Sequence, residues 1–146
     1  MFIERATKKD AELLTKIAIA AKSHWGYPKR WIETWLPILS VTEEYISKQE
    51  VWMAVEDDKP IGFYSLEGNE VGGLWVLPEF MGKGIGRDLF QHAVSRCREL
   101  GFDKLIIESD PNAVGFYETM GAHRVGESYS EVDGNPRVLP ILEIQV

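Results

Sequence analysis

The chain has 146 residues, with 16 Lys or Arg against 23 Asp or Glu and a net charge of −7. That length suits one domain burying roughly two-thirds of the surface of its unfolded chain, and the acidic balance argues against general affinity for nucleic acid or anionic membrane. One cysteine excludes an internal disulfide. With no charged-then-apolar leader and no apolar run of membrane-spanning length, a single-domain cytoplasmic protein is expected.

Phe2-Ile3-Glu4-Arg5 reads as a short first strand. Thr7-Lys8-Lys9-Asp10 is a capping-box-like start, and Leu14, Ile17, Ala18 and Ala21 recur at helical spacing, which predicts a helix to about Lys22. His24-Trp25-Gly26-Tyr27-Pro28 follows, two large aromatics and a histidine in a glycine and proline loop. Pro28 suits the first position of a second helix, with Trp31 and Trp35 one turn apart, and Pro37 should end or kink it. Thr42 caps a short third helix through Lys48, with Glu43 and Glu44 where the helix dipole favours acids.

From Val51 the hydrophobic period becomes that of strands. Val51 to Val55 and Ile61 to Leu66 flank a hairpin turn at Asp57-Asp58-Lys59-Pro60, and Gly68-Asn69 turns the chain into Glu70 to Val76. The adjacent glycines Gly72 and Gly73 inside that strand indicate a bulge or a close approach. After a glycine-rich turn, Ile85, Leu89, Phe90, Ala93, Val94, Cys97 and Leu100 form one stripe of a long helix stopped by Gly101. Cys97 on that stripe reads as a buried, inert thiol. Lys104 to Glu108 is a strand parallel to the one before the helix, since a crossover helix joins them. Asp110 caps a short helix with Pro111 in its first turn and Gly121 past its end. Arg124 to Ser130 and Val138 to Val146, around Asp133-Gly134-Asn135-Pro136, form a closing hairpin.

The stretch that carries chemistry is the turn at Gly82, Gly84 and Gly86. Glycines let the backbone approach a ligand, and the unpaired N–H groups that open the next helix suit an anion, with Lys83 and Arg87 beside them. A Walker loop would need Lys-Ser/Thr after the last glycine, and Arg87-Asp88 stands there. A dinucleotide fingerprint would place its third glycine at Arg87, although Glu108 sits where a ribose-binding acid would. A turn that only joins strand to helix is the bland alternative.

Val76-Leu77-Pro78 followed by Met81-Gly82-Lys83-Gly84-Ile85-Gly86 resembles the acetyl-CoA loop of the GNAT superfamily of N-acetyltransferases, with Met81 in place of the usual Gln or Arg. Asp110 to Glu118, with Asn112 and then Phe116-Tyr117, resembles that family's second signature. The element order is similar over essentially the whole chain. The resemblance implies an α+β fold with a mostly antiparallel seven-stranded sheet, splayed between two parallel strands, and helices on both faces. It implies acetyl-CoA as co-substrate, no metal, and direct transfer of acetyl to a primary amine of a small molecule or peptide. Trp75 and Val76 would offer backbone groups to the pantetheine arm, the amides of Met81 through Arg87 would bind the pyrophosphate, and Asn112 and Phe116 would line the other side.

In the same frame Tyr117 matches the tyrosine that protonates the departing thiolate, and Glu70 the carboxylate that takes the amine proton. The alternatives are a tyrosine that only packs its ring and a solvated hairpin-end carboxylate. His24, Trp25 and Tyr27 come from the segment that covers the acceptor site, where aromatic walls hold an ammonium by cation–π contact. Trp31 and Trp35 also read as core. The closing hairpin and exposed aromatics suit a homodimer. A non-catalytic acyl-CoA sensor and a dinucleotide-binding oxidoreductase are the rival functions.

Overall fold

In the computed structural model, which describes residues 1–146, strand β1 (Phe2–Arg5) leads into helices α1 (Ala11–His24), α2 (Lys29–Leu39) and α3 (Glu43–Lys48). Strands β2 (Glu50–Glu56), β3 (Lys59–Glu67) and β4 (Glu70–Val76) follow. Helix α4 (Ile85–Glu99) crosses to β5 (Lys104–Glu108), and α5 (Val114–Thr119) precedes the hairpin of β6 (His123–Val132) and β7 (Asn135–Gln145). The sheet order is β1-β2-β3-β4-β5-β7-β6, antiparallel except between β4 and β5. This is the α+β architecture that the family resemblance implies. No helix is long and apolar enough to cross a membrane.

Each face of the sheet is covered by its own core. Leu89, Phe90, Ala93 and Cys97 of α4 pack with Leu105, Ile107 and Tyr117 on one face. Leu14, Ile17 and Ala18 of α1, with Leu39 and Ile46, pack on Val51, Met53, Val55 and Phe63 on the other. The alternation of β-strand side chains makes this division. In β5, Leu105 and Ile107 enter the first core, so Glu108 turns toward the face that α1 and α2 cover.

Several boundaries differ from the sequence reading for local reasons. The Asp10 carboxylate accepts the Thr7 N–H at 2.8 Å and the Thr7 hydroxyl at 3.3 Å, while the Asp10 N–H donates to Thr7 O at 2.9 Å. The first turn is therefore tight and α1 starts at Ala11. Pro37 lies inside α2, which continues because Leu39 is buried and the Ser40 N–H and hydroxyl both donate to Leu36 O. Both hairpin turns are shorter than expected, since Asp57-Asp58 and Asp133-Gly134 take positive φ as two-residue turns.

The bulge expected at Gly72 and Gly73 is present: Ser65 pairs with Gly73 and Leu66 with Val71, leaving Gly72 unpaired. A side chain there would run into Tyr45 Oη, Glu67 Oε2 and Ser65 Oγ. Beyond the bulge β4 and β5 part. Their ladder consists of Glu70 with Ile106 and Val71 with Ile107. Past that point β4 follows β3 to the pair Gly62 and Val76, while β5 follows β7 to Glu108 and Ile141. A wedge opens in the middle of the sheet.

Candidate active site

A cavity of about 580 Å³ fills this wedge and reaches the face under α1 and α2. On the β4 side, the Leu77 N–H donates to Ile61 O. An antiparallel ladder alternates its bonded residues, so Trp75, two residues earlier, also turns its backbone groups to β3. Leu74 and Val76 therefore present theirs to the wedge. The expected pair of backbone contacts shifts from Trp75 and Val76 to Leu74 and Val76, while the Trp75 indole remains in the wall.

At the end of the wedge the chain turns through Gly82 and Gly84, at φ 76° and 84°, before α4 starts at Ile85. The N–H groups of Gly82, Lys83, Gly84, Ile85, Gly86 and Arg87 have no turn or helix carbonyl as partner, and they lie at the positive end of the helix dipole. Met81 is different. Its N–H donates to Pro78 O at 3.2 Å, so its amide leaves the expected set while its side chain lines the cavity. Lys83 and Arg87 are exposed beside the loop. Gly86 is closely faced by the Phe116 ring, 3.5 Å from where a Cβ would stand, which seats the loop against α5.

Across the wedge, Asn112, Ala113, Phe116 and Tyr117 line the wall. Tyr117 is 6% exposed, edge-on to Phe90 and Phe116, and its hydroxyl opens to the cavity without a partner in the chain. Burial pushes its pKa well above the ordinary 10, so it stays protonated. It is a donor kept in reserve.

The α1 side carries a polar cluster. Lys22 Nζ lies 2.5 Å from Asp110 Oδ2, and the Tyr27 hydroxyl is 3.0 and 2.9 Å from the two carboxylate oxygens. Asp110 also accepts the Asn112 backbone N–H at 2.8 Å and its Nδ2 at 3.0 Å. Burial alone would raise the Asp110 pKa, but these bonds and the Lys22 charge overcome it and hold the carboxyl below the ordinary range. Arg137 approaches from β7, donating to Tyr27 Oη at 3.2 Å.

Lys22 and Arg137 both lie over the rings of Tyr27 and Trp35. Those faces thus hold the chain's own cations, not an acceptor ammonium. Tyr27 serves as the hub of the cluster. Trp25 remains as an exposed aromatic wall of the cavity, and His24 stands outside it, exposed and edge-on to Trp25. Trp31 stacks on Tyr27, and Trp35 both packs on the core and lines the cavity.

Glu70 does not reach this space. It is exposed at the tip of the β3–β4 hairpin, at the level where β4 and β5 are still paired and the sheet is closed. The carboxylates that line the cavity are Asp110 and Glu108. Glu108 forms no ion pair and sits where β5 leaves β4. Lys22 and Arg137 gave no local sequence signal for this cluster, because their partners lie far along the chain, and Glu108 stood out in the sequence only as a ribose-binding acid.

A family model described as an acetyltransferase (GNAT) domain matches residues 9–138. The chain is similar to the peptidyl-lysine N-acetyltransferase YjaB of Salmonella typhimurium, 33% identical over 105 residues covering 71% of this chain and 70% of that protein. It is 34% identical to YjaB of Escherichia coli over 105 residues, 71% and 69% of the two chains. The structure superposes on a GCN5-related N-acetyltransferase from Rhodopseudomonas palustris with a TM-score of 0.87 at 19% identity, covering 99% of this chain and 95% of the other.

Proposed function

Because the chain belongs to the GNAT acetyltransferase family, it is an acetyl-CoA-dependent N-acetyltransferase, and we propose that it passes the acetyl group directly to a primary amine of a small molecule or peptide. The observation that carries this reading is the unpartnered Tyr117 hydroxyl in a cavity that joins the wedge to the space under α1 and α2. Thioester and amine then meet in one cavity. The peptidyl-lysine activity of the YjaB relatives agrees with an alkyl amine as acceptor.

In this reading the pantetheine arm lies along the free groups of Leu74 and Val76, and the pyrophosphate lies on the amides of Gly82 through Arg87. Trp25 walls the acceptor. The amine nitrogen forms a bond to the thioester carbonyl carbon, the carbon–sulfur bond breaks, the departing thiolate takes its proton from Tyr117, and the proton that the acylated nitrogen sheds restores the tyrosine. An alkyl amine with a pKa near 10.4 is ionised at neutral pH, and freeing its lone pair costs about 4–5 kcal/mol. Glu108 takes that proton, directly or through a water, because Asp110 is already bound to Lys22, Tyr27 and Asn112.

Release of free thiol from acetyl-CoA, followed with an alkyl amine, with a lysine-containing peptide and with neither, tests this. Thiol release should require one of the two acceptors. An unchanged low rate with both would remove the transfer reading and leave an acyl-CoA-binding protein.

A further inference from the structure

Arg137 lines the cavity with most of its donors unused. Its side chain is 9% exposed, and its guanidinium carbon lies 4.9 Å from the ring centroids of Tyr27 and Trp35. A guanidinium offers five N–H donors. One bond is made, to Tyr27 Oη at 3.2 Å, and Asp110 Oδ2 is 3.9 Å away, too far for a hydrogen bond. Asp110 is engaged by Lys22, Tyr27 and Asn112 instead, and Glu108 pairs with neither cation. The donors left over are not sealed inside the protein, so they stay open to the cavity and to an acceptor placed there.

The guanidinium is also braced, since the rings of Tyr27 and Trp35 both lie against it and the β6–β7 hairpin holds its backbone. A fork of donors lining the cavity matches a carboxylate, which it can bind through two parallel bonds. The glycine loop has its own amides for the pyrophosphate, so the anionic part of acetyl-CoA does not need Arg137.

We propose that Arg137 is the anion subsite of the acceptor pocket, and that the acceptor is a small amine carrying a carboxylate at its far end, an amino-carboxylate. This rests on the acetyl-transfer reading for its activity but not for its binding. The amine would lie toward Tyr117 and Glu108, the carboxylate on Arg137 and the chain between them along Trp25.

The test compares δ-aminovalerate with pentylamine, which differ by the carboxylate alone, in wild type, Arg137→Met and Arg137→Lys. Turnover is read as thiol release, and binding as titration of each amine into the complex with CoA. Wild type should favour δ-aminovalerate by about tenfold or more in kcat/KM, and Arg137→Met should bring the ratio near one. Arg137→Lys, which keeps the charge and loses the fork, should retain part of it.

Equal use of the two amines by wild type, or a preference that survives Arg137→Met, overturns the subsite while acetyl transfer stands. A loss of CoA affinity in Arg137→Met as large as its loss for δ-aminovalerate assigns the residue to the co-substrate and also overturns it. Arg137-dependent binding of δ-aminovalerate without turnover upholds the subsite and rejects the transfer reading. A lysine peptide amidated at its C-terminus serves as a further arm, and its preference over δ-aminovalerate contradicts a small amino-carboxylate.

Discussion

Lys22 Nζ and Asp110 Oδ2 stand 2.5 Å apart, tying the last turns of α1 to the segment after β5 across the open wedge of the sheet. Their side chains are 12% and 9% exposed. Where β4 and β5 no longer pair, this ion pair closes the wall of the cavity. Asp110→Asn should leave Lys22 charged and without its counterion, at a cost of about 3 kcal/mol, the low end for a buried pair stripped of one partner. Thermal or denaturant unfolding reads this directly.

The same pair has a pH signature. The Asp110 carboxyl is held below its ordinary 3.8, so its contribution is present above that value and is lost as pH falls through the lower folded value. Acid unfolding should therefore show a steeper loss of stability below pH 3.8 in wild type than in Asp110→Asn. Parallel acid limbs would show that the carboxyl is not depressed.

Tyr117→Phe removes the unpartnered hydroxyl and keeps the ring between Phe90 and Phe116. Turnover should fall by roughly a hundredfold, the scale of losing one positioned proton donor, with little change in acetyl-CoA affinity or melting temperature. Unchanged turnover would return Tyr117 to a packing role.

Glu108→Gln should lower kcat/KM for an alkyl amine at neutral pH and lose less as pH rises. The ionised amine needs a proton acceptor near pH 7 and less of one as pH nears its own pKa, about 10.4. A loss that is the same at every pH would mean that Glu108 positions the amine without taking its proton.

Gly84→Ala forces a Cβ onto a residue at φ 84°, beside the Arg87 guanidinium. The left-handed backbone costs a non-glycine residue about 1–2 kcal/mol, and relief of that strain misaims the amides before α4. The effect should appear mainly as weaker acetyl-CoA binding, measured by titration. An unaltered dissociation constant would show that the loop binds its ligand by side chains.

Much of this was legible in local sequence. The glycine loop after Val76-Leu77-Pro78, the long stripe of α4 and the Asp110 cap each depend on near neighbours, and each is present. The phase of β4 was not legible. The bulge at Gly72 shifts the register by one residue and the β3 ladder sets which groups face the wedge, so Leu74 replaces Trp75 and Glu70 stays outside. Met81 lost its amide to a turn around Pro78 that side-chain pattern does not reveal.

The polar cluster was hidden for a different reason. Lys22 reads as the basic last turn of an amphipathic helix, and Arg137 as one charge in an imperfectly alternating hairpin. Their meeting at Asp110 and Tyr27 joins residues 88 and 110 positions apart. The aromatic loop was visible as unusual, but not that Tyr27 and Trp35 would face the chain's own cations.

The central claim, direct transfer, is tested most simply by the intact mass of the enzyme after exposure to acetyl-CoA, first alone and then with an amine acceptor. Cys97 is fully buried and its thiol pKa is raised by burial, so it offers no nucleophile for a covalent intermediate. The enzyme's mass should stay unchanged, with free thiol and acetylated amine appearing in equal amounts only once the amine is added. An acetylated enzyme that forms without the amine and discharges when it arrives would contradict the account.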